Sequence, residues 1–203
     1  MMRIISGKAR GCKLYSLEGE NTRPTGERVK EAVFSMIQFD IEGREVLDLF
    51  AGSGQLGLEA ISRGAVHADL VDHSKAAVEV IRKNMVKTKL ALDASAFCAD
   101  FSDFLRGHKG RGKYDIVFLD PPYAAGVLPE VLKLLLRYEL LKPSSVIVCE
   151  SASFEDVFGQ SQTLSSRYSI KKQAKYGAAH VTILTLPEEE TSEEKTDADN
   201  ADE

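Results

Sequence analysis

The four residues Asp120-Pro121-Pro122-Tyr123 combine a carboxylate, a stiff backbone and an aromatic ring. They follow the apolar run 116–119, which reads as a buried strand, so they fall at a strand's carboxyl end, where open α/β sheets bind ligands. Successive prolines hold φ near about −65° and push the preceding residue out of the helical region. Such a loop can aim the Asp120 side chain and the Pro121 carbonyl at one point. Two acceptors converging on an exocyclic amine would orient its hydrogens and favour the planar-to-tetrahedral change of its nitrogen as the lone pair turns toward an electrophile. Charge develops on that nitrogen during transfer, so preorganised acceptors act on the transition state and no prior deprotonation is needed. Alignment of the two reactants contributes up to about 7 to 11 kcal/mol. Tyr123 offers a flat face on which an extruded base can stack, worth roughly 1 to 3 kcal/mol.

A second cluster, Asp48-Leu49-Phe50-Ala51-Gly52-Ser53-Gly54-Gln55-Leu56-Gly57, lies between an expected strand and an expected helix and satisfies GxGxxG. Its glycines let the backbone turn tightly and approach a ligand. The pattern is common to dinucleotide-binding and S-adenosylmethionine-binding folds. Asp72 ends the next strand and places a carboxylate within reach of ribose hydroxyls. Asp48, ahead of the loop, suits a ligand with a cationic amino group better than one with a pyrophosphate. Asp100, after the third strand, can accept from an adenine amine together with a backbone partner near Phe101, or else cap the helix that starts there. Phe50, Ala51, Gly52, Ser53 and Gly54 complete the candidate cofactor set.

These residues need a scaffold that brings strand ends together. From Glu45 onward apolar strands alternate with amphipathic helices, the pattern of a sheet wound with helices on both faces. Strands are expected at 46–49, 67–71, 95–98, 114–119 and 145–149, and helices at 56–63, 74–88, 100–105 and 127–138. Runs 168–175 and 180–186 form a closing hairpin through Gly177. Ahead of this core, runs 3–6 and 12–15 suggest a hairpin arm, and Thr22-Arg23-Pro24-Thr25 opens a helix with Thr25 as a candidate N-cap. The expected division is 1–43 as arm and helix, 44–186 as the main domain, and 187–203 as a disordered acidic tail.

A chain of 203 residues fits one domain. No run reaches the roughly 18 apolar residues of a membrane span, and the first ten residues lack a secretory apolar run. A cytoplasmic monomer is the expectation. Cys12, Cys98 and Cys149 are too scattered for a disulfide framework or a metal site.

The formal charge of −5 conceals an asymmetry, because the last 17 residues hold nine acids and one lysine. Without them the body carries +3. Its first 30 residues hold seven bases against three acids, which makes a phosphate backbone a natural partner. Arg3, Lys8, Arg10 and Lys13 would make salt-sensitive phosphate contacts, with Arg23 and Arg28 nearer the pocket. Surface ion pairs with Glu20, Glu27 and Glu31 are the competing reading.

Asp120-Pro121-Pro122-Tyr123 and the 48–57 loop resemble amino-group methyltransferases that use S-adenosylmethionine. Met2-Arg3-Ile4-Ile5-Ser6-Gly7, Thr22-Arg23-Pro24-Thr25, Arg28-Val29 and 48–54, in that order, are similar to the RsmD-type bacterial 16S ribosomal RNA guanine-N2 methyltransferases, a likeness running from residue 2 to about 186. The resemblance implies a Rossmann-like class I fold with a mostly parallel seven-stranded sheet. It also implies cofactor contacts at Gly52 to Gly54, Asp72 and Asp100, and a base pocket at 120–123. Gln55, often alanine in that family, and the acidic tail depart from its pattern.

The expected activity is methyl transfer from S-adenosylmethionine to a guanine amine of 16S ribosomal RNA, free or in a small-subunit assembly particle. Adenine-N6 methylation of DNA or RNA competes, because the same loop can present either amine. A DNA enzyme would need a larger recognition region. A nicotinamide-dependent oxidoreductase shares the glycine loop but has no evident hydride-transfer residue here, and a non-catalytic binder would have no use for converging acceptors.

Overall fold

The computed structural model describes residues 2–17, 24–110, 114–122 and 126–187. Arg23, Tyr123 and the tail from 188 onward lie outside them. Helix α1 (Pro24–Met36) precedes β1 (Glu45–Asp48), α2 (Gln55–Ser62), β2 (His67–Asp72), α3 (Lys75–Thr88), β3 (Ala94–Cys98), α4 (Phe101–Gly107) and β4 (Tyr114–Leu119). Then come α5 (Leu128–Arg137), β5 (Leu141–Ser151), a short 3-10 turn (Glu155–Val157), α6 (Gln162–Ser165), β6 (Ser169–Tyr176) and β7 (Ala179–Thr185). The strands form one sheet in the order β3-β2-β1-β4-β5-β7-β6, parallel except where β7 runs against β5 and β6. The expected closing hairpin is present, with Gly177 at φ 63°.

Every residue of β4 is buried, as expected for a central parallel strand covered by helices on both faces. One core layer joins Val29 and Val33 of α1, Ile37 just after it, Ile61 of α2 and Ile81 of α3 to the sheet. The other joins Phe104 and Leu105 of α4 to Val131, Leu132 and Leu135 of α5. Strand order reverses at β1, which pairs in parallel with both β2 and β4. A cleft at the carboxyl ends of β1 and β4 follows from that topology.

Three local readings differ from expectation. Helix α1 begins at Pro24, one residue before the expected Thr25 cap, because proline's fixed φ suits the first helical position. β5 is longer than 145–149, reaching back to Leu141 across an irregularity in its pairing with β4. The arm, residues 2–17, closes through a single antiparallel bridge, Arg3 to Lys13, rather than two strands.

Backbone pairs within the arm, such as Ile4 N–H to the Cys12 carbonyl, are joined by bonds to side chains of the main domain. Glu59, fully buried, accepts from the N–H of Ile5 at 2.7 Å and of Ser6 at 3.0 Å. Ser62 Oγ accepts from Ala9 N–H at 2.9 Å. Gly7, at φ 80°, brings the chain against the Ser62 carbonyl so closely that a Cβ would lie 1.7 Å from that oxygen. Ile4 and Leu14 are buried in the core layer of α1 to α3, so the arm is sealed to the sheet domain.

Candidate active site

Register places the two motifs side by side. Asp48 of β1 pairs with Phe118 of β4, so Phe50 and Asp120 continue from adjacent strand ends, and neighbouring strands are about 4.8 Å apart. A cleft of about 470 Å³ opens there, bordered on one side by Phe50, Ala51, Gly52, Ser53 and Asp72 and on the other by Asp120, Pro121 and Pro122. That size suits a small-molecule ligand.

Gly52, at φ 54°, occupies a conformation that disfavours a side chain. Its N–H donates to Asp72 Oδ2 at 2.9 Å, and Ser74 N–H donates to Asp72 Oδ1 at 2.8 Å. Asp72 therefore shapes the loop and keeps further lone pairs for a ligand. Gly54, at φ 78°, precedes α2 and is buried, as is Gly57, where a Cβ would meet Leu70 at 2.1 Å.

Asp48 lies beneath the loop and does not border the cleft. Its Oδ2 accepts from Gly57 N–H at 3.0 Å, whereas Oδ1 is buried with no hydrogen-bond partner. Burial pushes this carboxyl up to about 7; the Gly57 hydrogen bond opposes the rise and the nearby Asp72 charge adds to it. A cation above the loop would relieve that cost.

Asp100 caps α4, accepting from Ser102 N–H at 2.8 Å and Ser102 Oγ at 2.6 Å, and the serine hydroxyl holds its carboxyl below the usual range. Neither Asp100 nor Phe101 borders the cleft, but the Phe101 ring meets that of Phe50 at 5.7 Å.

Of the candidate RNA residues, Arg3 pairs with Glu27 at 2.8 Å and Lys8 with Asp93 at 2.6 Å. Arg10, Lys13 and Arg28 are exposed and form no ion pair among the described residues.

The structure adds residues that the motifs did not point to. Met2 and Leu17, from the two ends of the arm, border the cleft with His73, Ser74 and Ala77, beside Gln55 of the glycine motif. A smaller cavity of about 70 Å³ adjoins it across Asp120 and Gln55, bordered by Lys30 of α1 and by Glu150 of β5. No local pattern marks Glu150, since a glutamate near a strand end reads as solvated.

A sheet of this order with an antiparallel seventh strand, a glycine-lined cleft at β1 and a proline-stiffened acidic corner after β4 define a class I methyltransferase. The chain belongs to the family described as Conserved hypothetical protein 95, whose family model matches residues 2–185. It is 38% identical over 151 residues to the ribosomal RNA small subunit methyltransferase D of Haemophilus influenzae, covering 74% of this chain and 78% of that protein. The Escherichia coli K12 protein of the same description is 39% identical over 150 residues, covering 74% of each. A solved Escherichia coli protein, yhhF, provisionally described as a methyltransferase, superposes with a TM-score of 0.77 at 32% identity, covering 91% of this chain and 97% of its own.

Proposed function

We propose that this protein is an S-adenosylmethionine-dependent methyltransferase acting on the exocyclic N2 amine of a guanine in 16S ribosomal RNA. The carrying observation is that Asp120, Pro121 and Pro122 border the same cleft as the glycine loop. The description of relatives as small-subunit ribosomal RNA methyltransferases supports the substrate class.

The residues present fit that cofactor. Asp72 stands at the cleft for ribose hydroxyls, and Gly52, where a Cβ would meet nothing within 4 Å, leaves an open cradle. Asp48, with its orphaned buried oxygen, can take up negative charge under the loop when a cation lies above it, which favours a cationic amino group and disfavours a pyrophosphate. Phe50 and Phe101 give an apolar edge for adenine, with Asp100 as acceptor beside it.

When bound, the cofactor supplies an electrophilic methyl on a sulfonium sulfur. Asp120 and the Pro121 carbonyl accept from the guanine N2 hydrogens and turn the nitrogen lone pair toward the cleft. That lone pair would take the methyl which the bound cofactor supplies, the carbon–sulfur electron pair remaining with the sulfur. The surplus proton leaves the alkylated nitrogen by way of the Asp120 carboxylate to solvent. Preorganised acceptors of this kind are worth about a hundredfold to a thousandfold in rate.

Glu150, bordering the cavity next to Asp120, favours guanine over adenine. A carboxylate there can accept from guanine N1–H while Asp120 and the Pro121 carbonyl hold the two N2 hydrogens, whereas adenine presents a lone pair at N1.

The test is incubation with labelled S-adenosylmethionine and 16S ribosomal RNA or small-subunit particles, followed by nucleoside analysis. N2-methylguanosine is the expected product. N6-methyladenosine would transfer the assignment to the adenine reading, and absence of incorporation would overturn the activity.

A further inference from the structure

We infer that the groove between the arm and the outer face of α3 is a track for the RNA strand flanking the target nucleotide, with Tyr15 as its stacking platform. This rests on the reading of the chain as an RNA methyltransferase. The groove is lined by Tyr15 and Leu17 of the arm and by Arg82, Lys83, Val86 and Lys87 of α3, and Glu79 is the one acid among its described lining residues. Unlike Arg3 and Lys8, which are held by Glu27 and Asp93, none of these three bases forms an ion pair among the described residues. Tyr15 is 50% exposed, and the Lys87 ammonium lies 3.9 Å from its ring centroid, so ring and charge form one surface. A basic groove with a stacking ring is the design that binds single-stranded nucleic acid without sequence readout.

Exposure of that ring is built in. Asn84 of α3, fully buried, accepts from Tyr15 N–H at 2.8 Å and donates to the Tyr15 carbonyl at 3.0 Å, fixing the backbone while the side chain faces outward. The same amide group donates to the carbonyl of Ser53 in the glycine loop at 2.9 Å. One buried side chain thus holds the platform and the cofactor loop in register. The groove also leads to the chemistry: Leu17 borders both groove and cleft, and the successive residues Ala76 and Ala77 line one and the other. At its far end Cys12 Sγ lies 3.7 Å from the Lys87 carbonyl, which brings Lys13, next in the chain, toward the basic end of α3.

The test uses the full chain and a fluorescent 16S ribosomal RNA transcript, with affinity measured by anisotropy across a salt series. Lys83→Ala with Lys87→Ala is expected to reduce the slope of log affinity against log salt by about 1.4, from two lost phosphate contacts on single-stranded RNA. Tyr15→Ala is expected to weaken binding at least about fivefold, and Tyr15→Phe to bind as wild type. Cofactor calorimetry and thermal melting check that each variant is folded. Unchanged slope and affinity in the variants, with methylation by the wild type intact, would remove the groove and leave the proposed activity standing. A wild-type chain that neither binds nor methylates the transcript or small-subunit particles would overturn both. Equal loss in Tyr15→Phe and Tyr15→Ala would overturn stacking as the role of the ring.

Discussion

The backbone N–H of Gly52 donates to the carboxylate of Asp72, which lies 20 residues further along the chain. Two residues that are each candidates for ligand contact therefore also hold one another. Asp72→Ala removes an acceptor from the cleft and leaves the N–H groups of Gly52 and Ser74 without their partner. Loss of these bonds is expected to cost about 1 to 3 kcal/mol, lowering Tm by several degrees, with cofactor affinity down at least about tenfold. Calorimetry and thermal melting measure the two effects, and full cofactor affinity in Asp72→Ala would confine the residue to shaping the loop.

Asp120→Ala tests the corner after β4. Methyl incorporation is expected to fall at least about a hundredfold while the cofactor dissociation constant stays close to wild type, because the acceptor acts on the amine and not on the cofactor. An active variant would end the role assigned to this carboxylate.

Asp48 predicts a pH dependence. Its folded-state carboxyl lies near 7, above the ordinary carboxylate range, because burial disfavours the charged form. The folded state therefore holds a proton that the unfolded state has released, and the contribution of Asp48 to stability falls as pH rises from about 4 to about 7. In Asp48→Asn the decline over that window should flatten, as followed by chemical denaturation. Binding of a cationic ligand draws the proton off. Titration calorimetry near pH 6.5 in buffers of different ionisation heat should show proton release on S-adenosylmethionine binding to the wild type and none with Asp48→Asn.

Glu59 latches the arm. It accepts from Ile5 and Ser6, from Arg63 Nε at 2.8 Å, and stands 3.5 Å from the buried Lys30 ammonium. Glu59→Ala leaves that ammonium uncompensated and is expected to cost about 3 to 5 kcal/mol, with faster hydrogen exchange at Ile5 and Ser6. Adding Lys30→Met should recover part of the loss by removing the stranded charge. A double variant no more stable than Glu59→Ala would show that the hydrogen bonds, and not the charge balance, hold the arm.

Much of the scaffold was legible because it depends on local rules. Alternating apolar runs and amphipathic segments marked the strands and helices of 45–186, and the all-apolar 116–119 run marked a central strand. Departures occurred where a distant partner outbid a local preference. Residues 3–6 and 12–15 have strand-like composition, yet Glu59 and Asn84 capture several of their backbone groups, so only one bridge forms. Asp100 was readable both as a ligand acceptor and as a cap, and the nearby Ser102 donors make it the cap of α4.

From the sequence alone come the chemical parts: a carboxylate on a proline-stiffened corner, a glycine loop behind a strand, and acids after the second and third strands. Each is encoded within a few residues, where backbone sterics act directly. Only the tertiary structure decided that Asp48 pairs with Phe118 and so sets Asp120 beside the glycine loop, that Met2 and Leu17 close the cleft from the arm, and that Asn84 joins Tyr15 to Ser53. Strand register and buried polar partners arise from contacts between residues far apart in the chain, and no periodicity within a single segment records them.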